Sequence, residues 1–109
     1  METKDTNLIL NQITEQLKLQ FQPKRLYLYG SRAQGTARPD SDYDFVMVIS
    51  HFNSADRFKV MDEVGQQFHK DFGIQVQVWV YNEDEFNARR VDFGSIPETA
   101  ANTGREIEL

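Results

Sequence analysis

The sequence predicts a small α/β (α+β) domain, a mixed β-sheet covered by helices. Three observations predict it. Apolar stripes at helical spacing recur along the chain, short runs of β-branched and aromatic residues fall between them, and Gly, Pro and Asn punctuate the junctions. At 109 residues the length suits one hydrophobic core, so residues 1–109 are read as a single domain. Eight Phe, four Tyr and one Trp supply the large side chains for that core.

The elements follow in order. Leu10, Ile13, Leu17 and Phe21 form one stripe, which predicts a helix from about Asn7 to Phe21, capped by Asp5 or Thr6 and stopped by Pro23. Arg25 to Tyr29 (RLYLY) reads as a short strand. The following RAQGTARPDS is turn chemistry, with Ser31 able to open a short helical turn. Asp42 to Ile49 (DYDFVMVI) reads as a second strand. A helix is expected from Ser54 to Phe72, with Asn53 as cap, Val60, Met61, Val64 and Phe68 on its apolar face, and Gly73 as its end. Ile74 to Tyr81 (IQVQVWVY) alternates strictly, which predicts a third strand. Asn82 with Glu85 opens a helix reaching about Val91, and Ser95 with Glu98 opens another that Gly104 closes.

Composition narrows the function. The absence of cysteine excludes disulfides, thiolate catalysis and cysteine-ligated zinc, and two histidines do not make a histidine-rich metal site. No apolar run approaches the roughly 20 residues of a membrane span. The amino terminus lacks a secretory pattern, so the expected compartment is the cytoplasm. A net charge of −5 with no basic run argues against a nucleic-acid partner and for a basic protein partner.

The chemistry concentrates between Leu28 and Ile49. Gly30 and Ser31 end a strand where free N–H groups and a helix dipole favour an anion, and Gly30 allows close backbone approach. Ser31 adds a hydroxyl donor, with Arg32 and Arg38 supplying charge nearby. Asp42 and Asp44, two residues apart on a strand, project to one face with Cα atoms about 6.5–7 Å apart. Such a pair suits Mg²⁺ held by one or two carboxylates plus substrate phosphates. Tyr43, Phe45, Met47 and Ile49 then face the core. A Gly-Ser turn alone is usually only a turn, and a DxD alone is usually a solvated strand edge. Their adjacency is the informative feature.

Gly30-Ser31, the intervening residues 32–41, then Asp42-x-Asp44 resembles the signature of the DNA polymerase beta-like nucleotidyltransferase superfamily. The wording GSRAQGTARPDSDYDF is similar to its minimal nucleotidyltransferase (MNT) branch. The resemblance runs from the first helix to about Glu85 and is strongest over residues 28–49. It implies a palm-like nucleotidyltransferase fold in which Gly30 and Ser31 bind the phosphates of ATP, and the charge of Arg32 beside them is read as a further phosphate contact. It also implies that Asp42 and Asp44 are the catalytic Mg²⁺ ligands, and that a hydroxyl acceptor receives AMP as pyrophosphate leaves. A plausible setting is a HEPN/MNT toxin–antitoxin pair, with a tyrosine of the HEPN toxin as acceptor.

One position departs from that pattern. Family members commonly carry a third carboxylate on the next strand, and the matching position here is Gln77. Either catalysis is slow, or another acid substitutes (Glu83 and Asp84 are nearest in sequence), or the domain binds without reacting. Gln75 and Gln77 read equally well as the polar face of an edge strand. Blander readings fit several other residues: His51 and His69 as surface histidines, Trp79 and Tyr81 as packing against a helix, Arg89 and Arg90 as an exposed helix end. A small-molecule acceptor fits less well, because the chain lacks room for a substrate domain. A second copy or a different partner chain could complete the acceptor site.

Overall fold

The structure is a computed structural model that describes residues 4–109, with side chains described from Leu8 onward. In chain order the elements are α1 (Lys4–Phe21), β1 (Arg25–Tyr29), α2 (Ser31–Gln34) and β2 (Tyr43–Ile49). A 3₁₀ turn (Ser54–Asp56) then runs into α3 (Arg57–Phe72), followed by β3 (Val76–Asn82), α4 (Glu83–Arg89), α5 (Ile96–Thr103) and β4 (Arg105–Glu106). The strands form one sheet in the order β3-β2-β1-β4. β1 is antiparallel to both β2 and β4, whereas β2 and β3 are parallel. A parallel pair needs a crossover, and α3 supplies it. The expected mixed sheet with helical cover is what forms.

Alternation along the strands divides the core between the two faces of the sheet. On one face Leu26, Leu28, Phe45, Met47, Val78 and Val80 pack against Ile13 and Leu17 of α1 and Val64 and Phe68 of α3. On the other, Tyr27, Val46, Val48 and Tyr81 pack against Phe86 of α4 and Ala100 of α5. The Tyr27 and Phe86 rings stack at 5.5 Å. Each fully buried large side chain contributes on the order of 1.5–3 kcal/mol. Phe45→Ala, at the centre of the sheet, would cost about 3–5 kcal/mol.

Several boundaries differ from expectation. α1 begins at Lys4 rather than Asn7, and the side chains of its expected caps, Asp5 and Thr6, lie outside those described. β2 begins at Tyr43, so Asp42 precedes the strand instead of opening it. Tyr43 N–H donates to Gln75 O across to the segment entering β3, the bond that starts the β2–β3 ladder one residue late. Asn53 does cap, accepting from Ala55 N–H, but the turn it opens is 3₁₀ before it becomes α3. Asn82 and Ser95 cap α4 and α5 through the N–H groups of Glu85 and Glu98, as their spacing predicts. α4 ends at Arg89, two residues short of Val91, and Ser95 Oγ–H donates to the carbonyl of Arg89 at that end.

β4 was not anticipated. Two residues carry no readable period, and the strand exists because Gly104 lets the chain descend onto β1. A Cβ there would lie 2.5 Å from Ala100 O and 3.0 Å from Leu28 O. Among the described residues no helix is long and apolar enough to cross a membrane.

Candidate active site

β1 and β2 are antiparallel, so the end of β1 lies beside the start of β2: Tyr29 pairs with Asp44. Gly30 follows at once as the residue before α2. Its φ of +75° and ψ of −154° belong to a region that only glycine occupies without strain. A Cβ at Gly30 would stand 3.0 Å from Asp44 Oδ2. The backbone and the carboxylate therefore share one small space, which a side chain would fill.

α2 is a single turn. Ala33 N–H and Gln34 N–H donate to Gly30 O, and Thr36 N–H donates to Ser31 O, before Gly35 (φ +74°) closes it in the left-handed conformation. The first N–H groups of such a turn, those of Ser31 and Arg32, have no carbonyl within the helix to donate to. The Ser31 N–H and hydroxyl lie one residue, and the Arg32 N–H two residues, from the glycine beside Asp44.

Arg32 takes a position that the sequence did not reveal. Its Nη2 donates to Ser41 O at 2.9 Å and to Pro39 O at 3.3 Å, while its guanidinium lies 4.2 Å above the Tyr43 ring. Ser41 Oγ in turn accepts from Arg38 N–H at 2.8 Å. The guanidinium thus braces the loop from Gly35 to Asp42 and fixes the approach of Asp42 to β2. Its Nε–H is buried and has no hydrogen-bond partner. Arg38 itself is exposed.

Asp42 is exposed, and Asp44 is half-buried on the face of the sheet shared with Val46 and Val48. Burial raises the Asp44 pKa above the usual carboxylate range, and the negative charge of Asp42 raises it further. Tyr29, beside Asp44, has its phenol pushed up to about 12, first by burial and then by the Asp44 charge; a hydrogen bond with Trp79 partly offsets this. At neutral pH Tyr29 is therefore a neutral donor next to the carboxylate. Sequence reasoning placed Tyr29 only in a strand. Its parity with Asp44 across an antiparallel pair was the available signal.

On the other side, Asp44 stands in register with Gln77 of the parallel strand β3. Gln77 is the residue adjacent to the carboxylate pair, as the motif spacing predicts, and its side chain is exposed. Glu83 and Asp84 do not substitute for a missing acid. They follow Asn82, which pairs with Ile49 at the opposite end of the strand, about 16 Å along from Gln77 at some 3.3 Å per residue. Trp79 meets Phe58 of α3 edge-to-face at 6.0 Å, and Tyr81 is buried under the Arg57 guanidinium at 4.4 Å. Both aromatics are packed, as the blander reading of them expects. His51, His69 and Arg89 are exposed, and Arg90 lies 5.8 Å from the Phe86 ring.

The residues present suit a small divalent cation. Asp42 and Asp44 offer hard oxygen donors, the missing Cβ at Gly30 keeps the space beside Asp44 Oδ2 open, and a cation would offset both the burial and the Asp42 repulsion that raise the Asp44 pKa. Among the described residues no cluster of three or more His, Cys, Asp or Glu could hold a metal by itself. A cation here would complete its coordination with water or with oxygens of a ligand.

No curated protein and no solved structure shows a significant match to the chain. A family model described as "Polymerase beta, Nucleotidyltransferase" matches residues 11–92, a span that contains every strand but β4 and the whole of the Gly30–Asp44 segment. The chain belongs to the polymerase beta nucleotidyltransferase family.

Proposed function

We propose that the protein is an Mg²⁺-dependent nucleotidyltransferase that transfers AMP from ATP to a hydroxyl acceptor. Membership of the family supports nucleotidyl transfer in general. The observation that supports the reading here is that a Cβ at Gly30 would stand 3.0 Å from Asp44 Oδ2, which brings a glycine-opened turn beside one carboxylate of the Asp42–Asp44 pair.

Each residue has a role in this reading. The N–H groups of Ser31 and Arg32 and the Ser31 hydroxyl hold the β- and γ-phosphates, and Gly30 admits them without a Cβ in the way. Arg32 adds positive potential while its guanidinium holds the loop that delivers Asp42. Asp42 and Asp44 would hold the Mg²⁺, which neutralises phosphate charge and favours departure of pyrophosphate. Tyr29, paired with Asp44 across β1 and β2, stays a neutral neighbour of that carboxylate. Most of the acceleration comes from positioning and charge, because the side chains present offer little acid–base chemistry.

The acceptor in this proposal is a tyrosine of a HEPN-type toxin, which makes the protein its antitoxin in the cytoplasm. The net charge of −5 supports a protein acceptor over a nucleic acid. A second reading rests on one observation, Gln77 in register with Asp44. An amide takes no proton and binds Mg²⁺ weakly, so the domain would bind nucleotide or partner and neutralise it without turnover. Incubation with α-labelled ATP, Mg²⁺ and the product of the adjacent gene separates the two. Label on the partner that vanishes in Asp42→Ala/Asp44→Ala supports the enzyme; a complex that forms without label supports the binding module.

A further inference from the structure

The geometry points to the groove between α3 and β3 as the acceptor site, shaped for a hydroxyl-bearing side chain on a basic polypeptide. This rests on the nucleotidyl-transfer reading and specifies its acceptor. The groove has a volume of about 530 Å³ and reaches Asp42 and Gln77 at its inner end. Met61, Gly65 and Val76 give it an apolar floor, on which α3 and β3 close to 3.3 Å between the Gly65 Cβ position and Val76 O. Asp62, Gln66, His69 and Gln75 form its polar rim.

Its position follows from the strand order. The glycine-opened turn leaves the end of β1, the carboxylates sit at the start of β2, and the groove opens beyond them along β3. Phosphoryl transfer is in-line, so acceptor and leaving pyrophosphate lie on opposite sides of the α-phosphorus. With the β- and γ-phosphates on the β1 side, the acceptor enters from the β3 side. The hydroxyl oxygen forms a bond to the α-phosphorus as the bond from that phosphorus to the pyrophosphate oxygen breaks. The hydroxyl proton passes to water beside the exposed Asp42 and Gln77, because the Gln77 amide accepts none.

The lining selects the class of acceptor. Among the described residues no lysine or arginine lines the groove, and beyond Asp42, which the cation would engage, its carboxylate is Asp62. A polynucleotide brings a phosphate every few ångströms and needs cations to meet them. Amides on the rim, at Gln66 and Gln75, instead match the N–H and C=O groups of a peptide, and the apolar floor accepts a side-chain ring. The Gln66 amide already donates to Asp62 at 2.9 Å, and the Gln75 amide lies 3.4 Å from the His69 ring, so the rim is ordered before any acceptor arrives.

The test uses poly(Lys,Tyr) copolymer, poly(Glu,Tyr) copolymer and a single-stranded oligonucleotide with a free 3′-hydroxyl, each with α-labelled ATP and Mg²⁺. The expected result is label on poly(Lys,Tyr) in preference to the other two. Asp62→Lys and Gln66→Trp, both at exposed rim positions, should lower kcat/KM for that polymer about tenfold while ATP binding, read by thermal shift, stays as in the wild type. Preference for the oligonucleotide or for poly(Glu,Tyr) overturns the assignment, and so does transfer that neither rim variant affects; both leave nucleotidyl transfer intact. Absence of label on every acceptor overturns the assignment together with the reading it rests on.

Discussion

Gly30→Ala should lower activity and stability together, whereas Gly35→Ala should cost stability alone. The two glycines have nearly equal φ, +75° and +74°, so a methyl group strains the backbone at both. They differ in what the methyl group meets. At Gly35 nothing lies within 4 Å, and its ψ of 16° is the ordinary left-handed conformation, which costs a non-glycine residue about 1–2 kcal/mol. At Gly30 the ψ of −154° is essentially reserved for glycine, and the Cβ would stand 3.0 Å from Asp44 Oδ2. That combination costs about 1–3 kcal/mol of backbone strain and also displaces the carboxylate by a few tenths of an ångström. A misplacement of about 1 Å can cost ~10²-fold in rate where catalysis depends on position, so a shift of a few tenths should still lower it severalfold. For a chain of this length each kcal/mol lowers Tm by about 4–8 °C. Urea denaturation gives the stability loss, and Mg²⁺-dependent thermal shift with ATP gives the site. Equal loss of the nucleotide-induced shift in the two variants would refute the argument that Gly30 serves the Asp44 carboxylate.

Three other outcomes follow from the same geometry. The Asp44 pKa is raised in the folded state, so the native protein loses stability as pH rises from the unfolded carboxylate pKa through the folded one; Asp44→Asn should then be more stable than the wild type at pH 7 without Mg²⁺, should lose that advantage on acidification, and should bind no Mg²⁺-ATP. Arg32→Met removes two hydrogen bonds to loop carbonyls and the stacking on Tyr43, and should cost about 2–3 kcal/mol by denaturation. Arg32→Lys, which keeps the charge but not the fork, should recover little of it. Gln77→Glu places a carboxylate beside Asp44; titration calorimetry should show Mg²⁺ bound about tenfold more tightly, some 1.4 kcal/mol, and unchanged affinity would mean that Gln77 points away from the cation.

Much of this was legible because it depends on local pattern. The strict alternation of IQVQVWVY, the stripe through Val64 and Phe68, and the caps at Asn82 and Ser95 each state a conformation within a few residues. Gly30, Ser31, Asp42 and Asp44 were legible as a motif, and the family pattern of a third carboxylate on the next strand pointed to Gln77. What was not legible depends on contacts distant in sequence. Arg32 gave only a positive charge near a phosphate turn. Its commitment to Pro39 O and Ser41 O required the loop to fold back over it. Tyr29 acquired its place beside Asp44 only from the β1–β2 register, and β4 only from the close approach of Gly104 to Leu28. Glu83 and Asp84 were near Gln77 in sequence, and an extended strand carried them to the far end of the sheet.

The distribution of cover over the sheet accounts for where this site lies. α1 and α3 fill one face, while on the other Phe86 and Ala100 pack over Tyr27, Val46, Val48 and Tyr81. α4 and α5 have only seven and eight residues, or about 10–12 Å each at 1.5 Å per residue. Helices that short cannot cover a seven-residue strand such as β2 from end to end. The stretch left half-covered is the one that carries Tyr29, Asp44 and Gln77. Partial burial raises the pKa of Asp44 and of Tyr29, yet leaves Asp44 within reach of a ligand. Full cover would force the Asp44 carboxyl to remain protonated, and full exposure would surrender the low dielectric that strengthens its attraction to a cation. A cation and its phosphates would supply what the uncovered end lacks: charge for the carboxylates and a partner for the N–H groups of the α2 turn. Past Gln77, along the edge of β3, the groove against α3 includes Asp42 in its lining, so the Gly30 turn, the two carboxylates and that groove share one end of the sheet.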